Sequence, residues 1–427
     1  MKIRYPSILN RSGMPMSSGV NRVVTMLGYL GPGFFVTVGF IDPGNWAANI
    51  AAGSRFNYDL LWVVVLGTAI LILWQHMSAH LGMVTGKCLA EGVRDYIKPV
   101  PAAVYGVTAM AACVATALAE ILGAAIGLNL LFHVAVKPAA FLASILVIGL
   151  IWFQRHGSLE KLIVGFVSAI GFCYLIELYI VKPDWAAAAY HSVVPTLDSK
   201  SILIAMGILG AVVMPHNMYL HSEVIQNREW KGETEADTRG LLRFEFADTL
   251  IAMIVGMCIN AAMIMVAAAV FFKHGIAITE LTQASATLKP IAGVFASVVF
   301  GAALLLAGIS SSTTAAVAGG TTFSGYLAKE THLESPWFRS GMLITIIPAA
   351  LIVLLITDTF QALIISQVCL SIQLPLTMLP LFLLTRSKRV MGKFANGWAE
   401  NTLMIASGLL IVALNALLIY WLVGRKF

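Results

Sequence analysis

Charge is what this 427-residue sequence has least of. Lys, Arg, Asp and Glu make up 11% of it against 59% hydrophobic residues, a balance that rules out hiding the apolar surface in one water-soluble core. No polar stretch between the apolar runs is long enough for a separate soluble domain, so a receptor carrying its own signalling module is disfavoured. Cysteine is scarce: Cys88, Cys113, Cys173, Cys258 and Cys369 lie in or beside apolar runs without a CxxC pair, and neither a disulfide framework nor a zinc cluster is expected. The N-terminal MKIRYPSILNRSGMPMSSG lacks the contiguous apolar core and small-residue cleavage site of a secretory signal. The dyad alternation of outer-membrane strands is absent as well, which leaves helices as the structure that lipid permits. Nothing pairs a nucleophile with a base and no haem or flavin signature appears, so an enzyme is not expected and no cofactor is assigned.

What is present is a series of eleven apolar stretches, at about 23–52, 59–86, 100–132, 137–153, 160–181, 200–226, 243–272, 290–327, 338–356, 360–385 and 400–423, most of them long enough to span a bilayer as a helix. They predict an all-α polytopic membrane protein. Residues 1–22 form a cytoplasmic N-terminal tail and 23–427 a single transmembrane domain. With the N-terminus inside, the tail and the loops on its side hold 19 of the 27 Lys and Arg, the bias expected of cytoplasmic loops. The C-terminus then lies outside, with Arg425 and Lys426 as a small dissent. The net charge of +6 is scattered over these loops rather than gathered on one face, which reads as topology rather than nucleic-acid binding.

The first and sixth spans are each interrupted, by Asp42-Pro43-Gly44-Asn45 and by Met214-Pro215-His216-Asn217. Proline removes a backbone donor and disfavours a helical conformation in the residue before it, so the helices are expected to unwind at Asp42 and Met214. One proline kink would mean little, since membrane helices tolerate them. Two P-x-N breaks five spans apart are the sign of an inverted repeat, because an odd offset brings the second copy in from the opposite side. The repeats are residues 23–181 and 200–385, with an extra helix at 400–423.

A carboxylate deep in an apolar helix costs several kcal/mol unless it is paired, hydrated or ligating. Asp42 follows GPGFFVTVGFI with no basic neighbour in its span, so it is either protonated or shares its site with a cation. Unwinding frees upstream carbonyls, those of Gly39 and Ala211, and a tight turn brings the Asn45 amide oxygen to the same point. Oxygen ligands alone suit many cations. Met214 narrows the choice, because a thioether favours later transition metals over Mg²⁺ or Ca²⁺, although a membrane methionine is more often core filler. His216 and His221 share one half-helix and suit proton movement or support of a ligand, His221 having packing as its plainer role. Glu120, mid-span, is suited to relaying protons or pairing with a histidine. Glu177 and Asp248 read as acids that snorkel to water.

With these residues in place, DPGNW and MPHNMYLHS resemble the paired signatures of the natural resistance-associated macrophage protein (NRAMP) family of divalent metal transporters. The likeness spans nearly the whole chain, through GPGF, LAEILGAAIGLNLLF, FQRHGSLEK and SQVCLSIQLP. It implies an eleven-helix LeuT-type fold, 5+5 helices plus one, that imports Mn²⁺ or Fe²⁺, with other divalent metals admissible, by alternating access coupled to protons. It also implies metal ligands at Asp42, Asn45, Met214, Gln367 and the carbonyls of Gly39 and Ala211, with proton handling at Glu120, His216 and His221. Divalent metal ions, protons and the bilayer are the implied partners, in a protein of the inner (plasma) membrane that works as a monomer.

Three places, four residues in all, depart from the pattern. Ala117 stands where the family usually has an acid, Gly341 and Met342 where it has arginine, and Ile309 where a glutamine is common; Arg339 is the nearest basic residue to the second of these. The departures predict metal transport with weak or altered proton coupling. A magnesium transporter related to this family is the runner-up, against which Met214 stands. A LeuT-type amino-acid transporter is disfavoured because Asp42 would repel a substrate carboxylate.

Overall fold

The computed structural model describes residues 42–153, 171, 174–227, 234–288, 293 and 296–424. Residues 23–41 of the first expected span, including Gly39, and most of the fifth lie outside the described residues. Proline at the first position of a helix loses nothing, since its missing N–H would have no partner there, and α1 (Pro43–Phe56), α4 (Pro99–Phe132) and α11 (Pro336–Leu355) begin this way, as does the half-helix that follows Met214. Between and beyond them run α2 (Leu61–Thr85), α3 (Leu89–Tyr96), α5 (Val136–Phe153), α6 (Trp185–Val193), α7 (Ile202–Val213), α8 (Pro215–Asn227), α9 (Glu235–Val270), α10 (Ala296–Tyr326), α12 (Thr359–Thr385), α13 (Lys388–Met391) and α14 (Trp398–Gly424). Among the described residues, eight helices are long and apolar enough to cross a membrane, α7 and α8 together making one of them, and Val136–Trp152 is a shorter apolar helix.

The sixth span breaks where proline predicts. α7 ends at Val213, Met214 takes a left-handed conformation with φ 37°, and α8 starts at Pro215. That conformation costs an L-residue about 1–2 kcal/mol, and the surrounding bundle holds it. The seventh span begins earlier than the expected 243. Thr234 caps α9, its hydroxyl accepting from Asp237 N–H while the Asp237 carboxylate accepts from Thr234 N–H, so the helix runs eight residues beyond the apolar stretch. Hydropathy does not register such a polar turn; capping chemistry does.

α4 and α12 traverse the interior with long buried faces, whereas α14 is peripheral and turns Leu403, Leu409, Val412, Ile419 and Val423 outward. That apolar rim has no aqueous explanation and is the surface offered to lipid. Glu177 and Asp248, expected to snorkel, are instead buried, at 0% and 4% exposure. Each lies in a helix whose neighbours cover it, which span-end counting could not foresee. Inside, Asn49 donates from Nδ2 to Asn260 Oδ1 (2.5 Å), pinning α1 to α9. Thr234→Ala is expected to destabilise the first turn of α9 by about 1 kcal/mol. Hydrogen exchange over residues 235–240 checks this, and unchanged protection there would show that the cap contributes nothing.

Candidate functional site

The two breaks face each other. Asp42 caps α1, its carboxylate accepting from Asn45 N–H at 2.5 Å, and the Asn45 side chain reaches across to donate from Nδ2 to the Ala211 carbonyl at 3.0 Å. Asn45 Oδ1 is left buried without a partner. On the other side Asn217 closes the α8 turn through its N–H to the Met214 carbonyl (3.1 Å) and directs its side-chain Nδ2 to the Met214 sulfur (3.1 Å). Asp42, Asn45 and Met214 are each no more than 1% exposed.

Gln367 on α12 completes the ring. A Cβ on Gly44 would collide with its side-chain amide, so the absence of that atom lets α12 come up against the start of α1. Its Oε1 is buried and has no donor among the described residues. Of the six expected ligand positions, Asp42, Asn45, Ala211 and Gln367 are brought together by these contacts, Met214 follows Ala211 at the end of α7 with its sulfur against Asn217, and Gly39 lies outside the described residues. α7 points its C-terminal, partially negative end at this centre, which favours a cation. Two oxygens without donors, a carboxylate and a thioether make a mixed hard and soft acceptor set.

α4 runs alongside. Pro43 is seated against Gly123, where a Cβ would overlap the proline ring, and one turn earlier the Glu120 carboxyl interacts with that of Asp42. Glu120 is fully buried, and neither of its oxygens has a hydrogen-bond donor among the described residues. Thr116 Oγ1 lies 3.0 Å from His216 Nδ1, so the histidine meets the helix that carries Glu120. Thr116 escaped the sequence reading, although its place four residues before Glu120 puts both on one helix face.

His221 does not belong to this centre. Its Nδ1 meets Gln75 Oε1 at 3.0 Å and its Nε2 lies 3.9 Å from Glu245 Oε1. Its neighbours are thus polar, on α2 and α9, rather than simple packing. Asn217 was named in the sequence only as part of the P-x-N break and not as a contact of Met214, and Gln75, His76 and Glu245 were missed; of these three only His76, through its i, i+4 spacing to His80, had a signal in the sequence.

The departures have structural consequences. Ala117 is fully buried within the apolar core, and Ile309 packs with Ala124 and Ala143. At Gly341 a Cβ would stand 2.6 Å from Phe323 Cβ and 2.8 Å from the Gly319 carbonyl, so α10 and α11 meet backbone to backbone. Arg339 stays at the helix mouth, its guanidinium 5.0 Å from the Trp152 ring and its Nε donating to the Leu333 carbonyl.

Two broken helices facing each other in a bundle of spanning helices define a polytopic membrane protein of the LeuT-type inverted-repeat class, and the comparisons with known proteins agree. A nucleobase-cation-symport-1 family transporter matches in fold at TM-score 0.61 and 14% identity, covering 93% of each chain. The profile of the natural resistance-associated macrophage protein-like family, Nramp, matches residues 33–421, and the chain belongs to that family. A relative from Caldanaerobacter subterraneus subsp. tengcongensis, named divalent metal cation transporter MntH, is 41% identical over 92% of this chain and 93% of its own. A crystal structure of the Eremococcus coleocola manganese transporter superposes at TM-score 0.77 with 27% identity, over 96% of this chain and 90% of that one.

Gly341→Ala is expected to cost about 1–3 kcal/mol by overpacking, and Gly341→Arg to abolish monodisperse protein rather than restore a charged site. Thermal melting in detergent checks both. An arginine variant as stable as the parent would show that α10 and α11 part readily.

Proposed function

We propose that this protein imports Mn²⁺ or Fe²⁺ across the plasma membrane by alternating access, with weak or altered proton coupling, its N-terminus cytoplasmic and its C-terminus outside. The observation that carries the reading is the meeting of Asp42 and Asn45 with the Ala211 carbonyl, three residues before Met214, and with Gln367 of α12, Asn45 Oδ1 and Gln367 Oε1 being buried and unpartnered among the described residues. The names of the relative and of the structural neighbour support it: a divalent metal cation transporter and a manganese transporter.

In this mechanism Asp42 supplies the charge that draws a divalent cation out of water. Asn45, Gln367 and the Ala211 carbonyl replace hydration oxygens, and the Met214 sulfur discriminates against Mg²⁺. Binding asks Asn217 to release the sulfur and Asn45 Nδ2 to release the Ala211 carbonyl, so the ion exchanges contacts between the half-helices for contacts to itself. An ion that touches both breaks shifts the balance between their two arrangements by its differential affinity for them. Glu120 beside Asp42 makes the centre more hostile to a substrate carboxylate, which weighs against amino-acid transport.

Altered coupling has its own support. Ala117 offers no acid to a proton on Glu120, and the close contact of Gly341 with Gly319 and Gly320 excludes both an arginine and water from that flank. The Met214 thioether weighs against the magnesium reading.

Reconstituted into proteoliposomes, the protein is expected to admit Mn²⁺ against excess Mg²⁺. Met214→Ala should narrow that preference roughly tenfold, which corresponds to about 1.4 kcal/mol, and Asp42→Asn should stop uptake. Competition between the two ions during influx is the measurement. Equal Mg²⁺ entry in the natural protein would move it to the magnesium branch, and uptake driven strongly by a pH gradient would remove the claim of weak coupling unless a different proton route carries it.

A further inference from the structure

A second group of ionisable side chains lies where α2, α8 and α9 meet, away from the metal ligands. At its centre is Glu245 on α9, 1% exposed. Its two oxygens face different helices: Oε2 lies 2.5 Å from His76 Nδ1 on α2, and Oε1 lies 3.9 Å from His221 Nε2 on α8. Thr249 Oγ1 donates to Oε1 at 2.8 Å and steadies the carboxyl. Among the described residues Glu245 forms ion pairs with these histidines and with no lysine or arginine, so the positive charge these partners offer it is a proton on an imidazole.

The surroundings fit proton traffic. Gln75 Oε1 takes the Nδ1 proton of His221, which turns Nε2 toward Glu245. His76 is 18% exposed and gives the group an edge in water. His80, buried with neither ring nitrogen partnered, stacks on His76 at 6.0 Å. Asp248 follows on α9, Glu223 lies on α8, and the Glu400 carboxylate at the start of α14 acts on His76. Phe246 covers one edge of the His76 ring at 5.0 Å. α7 and α12, also packed on α2, contain no charged residue, and Lys388 and Arg389 of the neighbouring α13 make no ion pair with the group. In the proposed orientation this is the cytoplasmic half of the bundle.

We propose that Glu245 is a proton-transfer residue between His221 on the moving half-helix and His76 at the cytoplasmic surface, giving this chain a proton route along α2, α8 and α9. A proton leaving His221 Nε2 joins Oε1 as the one shared at Oε2 passes to His76 Nδ1. His76, now an imidazolium, releases its Nε2 proton to water, and His221 is left neutral. At 3.9 Å the first transfer is too long for a hydrogen bond. It needs α8 to approach α9 by about 1 Å, because proton transfer requires heavy atoms roughly 2.6–3.2 Å apart. α8 begins beside Met214, so proton release is gated by the same segment that handles the metal.

The inference rests on the proposed metal transport, and one experiment separates the two. Protein in proteoliposomes takes up Mn²⁺ while a trapped dye reads lumenal pH, with Mn²⁺ affinity of the detergent-solubilised protein measured in parallel. Expected is acidification accompanying uptake in the natural protein. Glu245→Gln should lower the proton-to-metal ratio about tenfold while leaving Mn²⁺ affinity within about twofold, Glu245→Asp should restore much of the ratio, and His76→Gln should reproduce the loss should the first variant fold poorly. An unchanged ratio in Glu245→Gln and His76→Gln, a natural protein that moves Mn²⁺ without protons, or a loss of Mn²⁺ affinity equal to the loss of proton flux would each overturn the proton route. Absence of Mn²⁺ uptake in the natural protein would instead overturn the transport reading beneath it.

Discussion

A helix broken inside a bilayer leaves amides and carbonyls with no water to turn to, and each one unsatisfied costs several kcal/mol. Here the two breaks satisfy each other. Asn45 spans the gap to the Ala211 carbonyl, Asp42 caps its own helix, and the N–H of Asn217 closes the turn after Met214. Among the described residues the acceptors Asn45 Oδ1 and Gln367 Oε1 remain without a donor, and Trp46 Nε1, next in the chain to Asn45, is a buried donor without an acceptor. Spare acceptors beside a negative helix end suit a cation, so the repair of the backbone and the electrostatics of the site come from the same contacts.

α4 ties this centre to the rest of the bundle. Thr116, Glu120 and Gly123 follow one another at helical spacing and meet His216, Asp42 and Pro43 in turn. Gly308 of α10 backs the same turn, near the Glu120 carbonyl. A tilt of either half-helix would therefore be felt along one face of α4. Among the described residues neither Glu120 oxygen has a hydrogen-bond donor, and a buried carboxyl in that state is costly unless a proton or an ion completes it.

Much of this was legible in the sequence, for reasons that can be named. Continuous apolar runs gave the spans, prolines located both breaks, and the five-helix offset gave the inversion. The proposed metal site could be suggested from sequence because Asp42, Asn45 and Met214 sit within the breaks themselves. Gln367 came only from resemblance, since nothing in SQVCLSIQLP marks one amide for the site; Gly44, which admits it, is a contact across 323 residues of sequence. The start of α9 was misplaced because a capped polar turn carries no hydropathy signal. Glu177 and Asp248 were misread because burial is decided by which helix lies opposite. Glu245 was invisible for the same reason: its meaning comes from His76 and His221, on two other helices.

The distribution of buried charge separates structural from functional ionisable groups. Between α4, α10 and α11 the chain places Ala117, Gly341, Met342 and Ile309, and the helices have closed to backbone contact at Gly319 and Gly320. Stability asks for nothing more there. Between α2, α8 and α9 it keeps a buried glutamate with two histidines on its oxygens, although a well-packed apolar trio of similar volume would often hold the helices as well or better. A buried ion group with no guanidinium or ammonium partner among the described residues is a costly way to join three helices. It is a suitable way to join them when the proton is meant to leave, and the 3.9 Å gap to His221 is a contact that a movement of α8 can open and close.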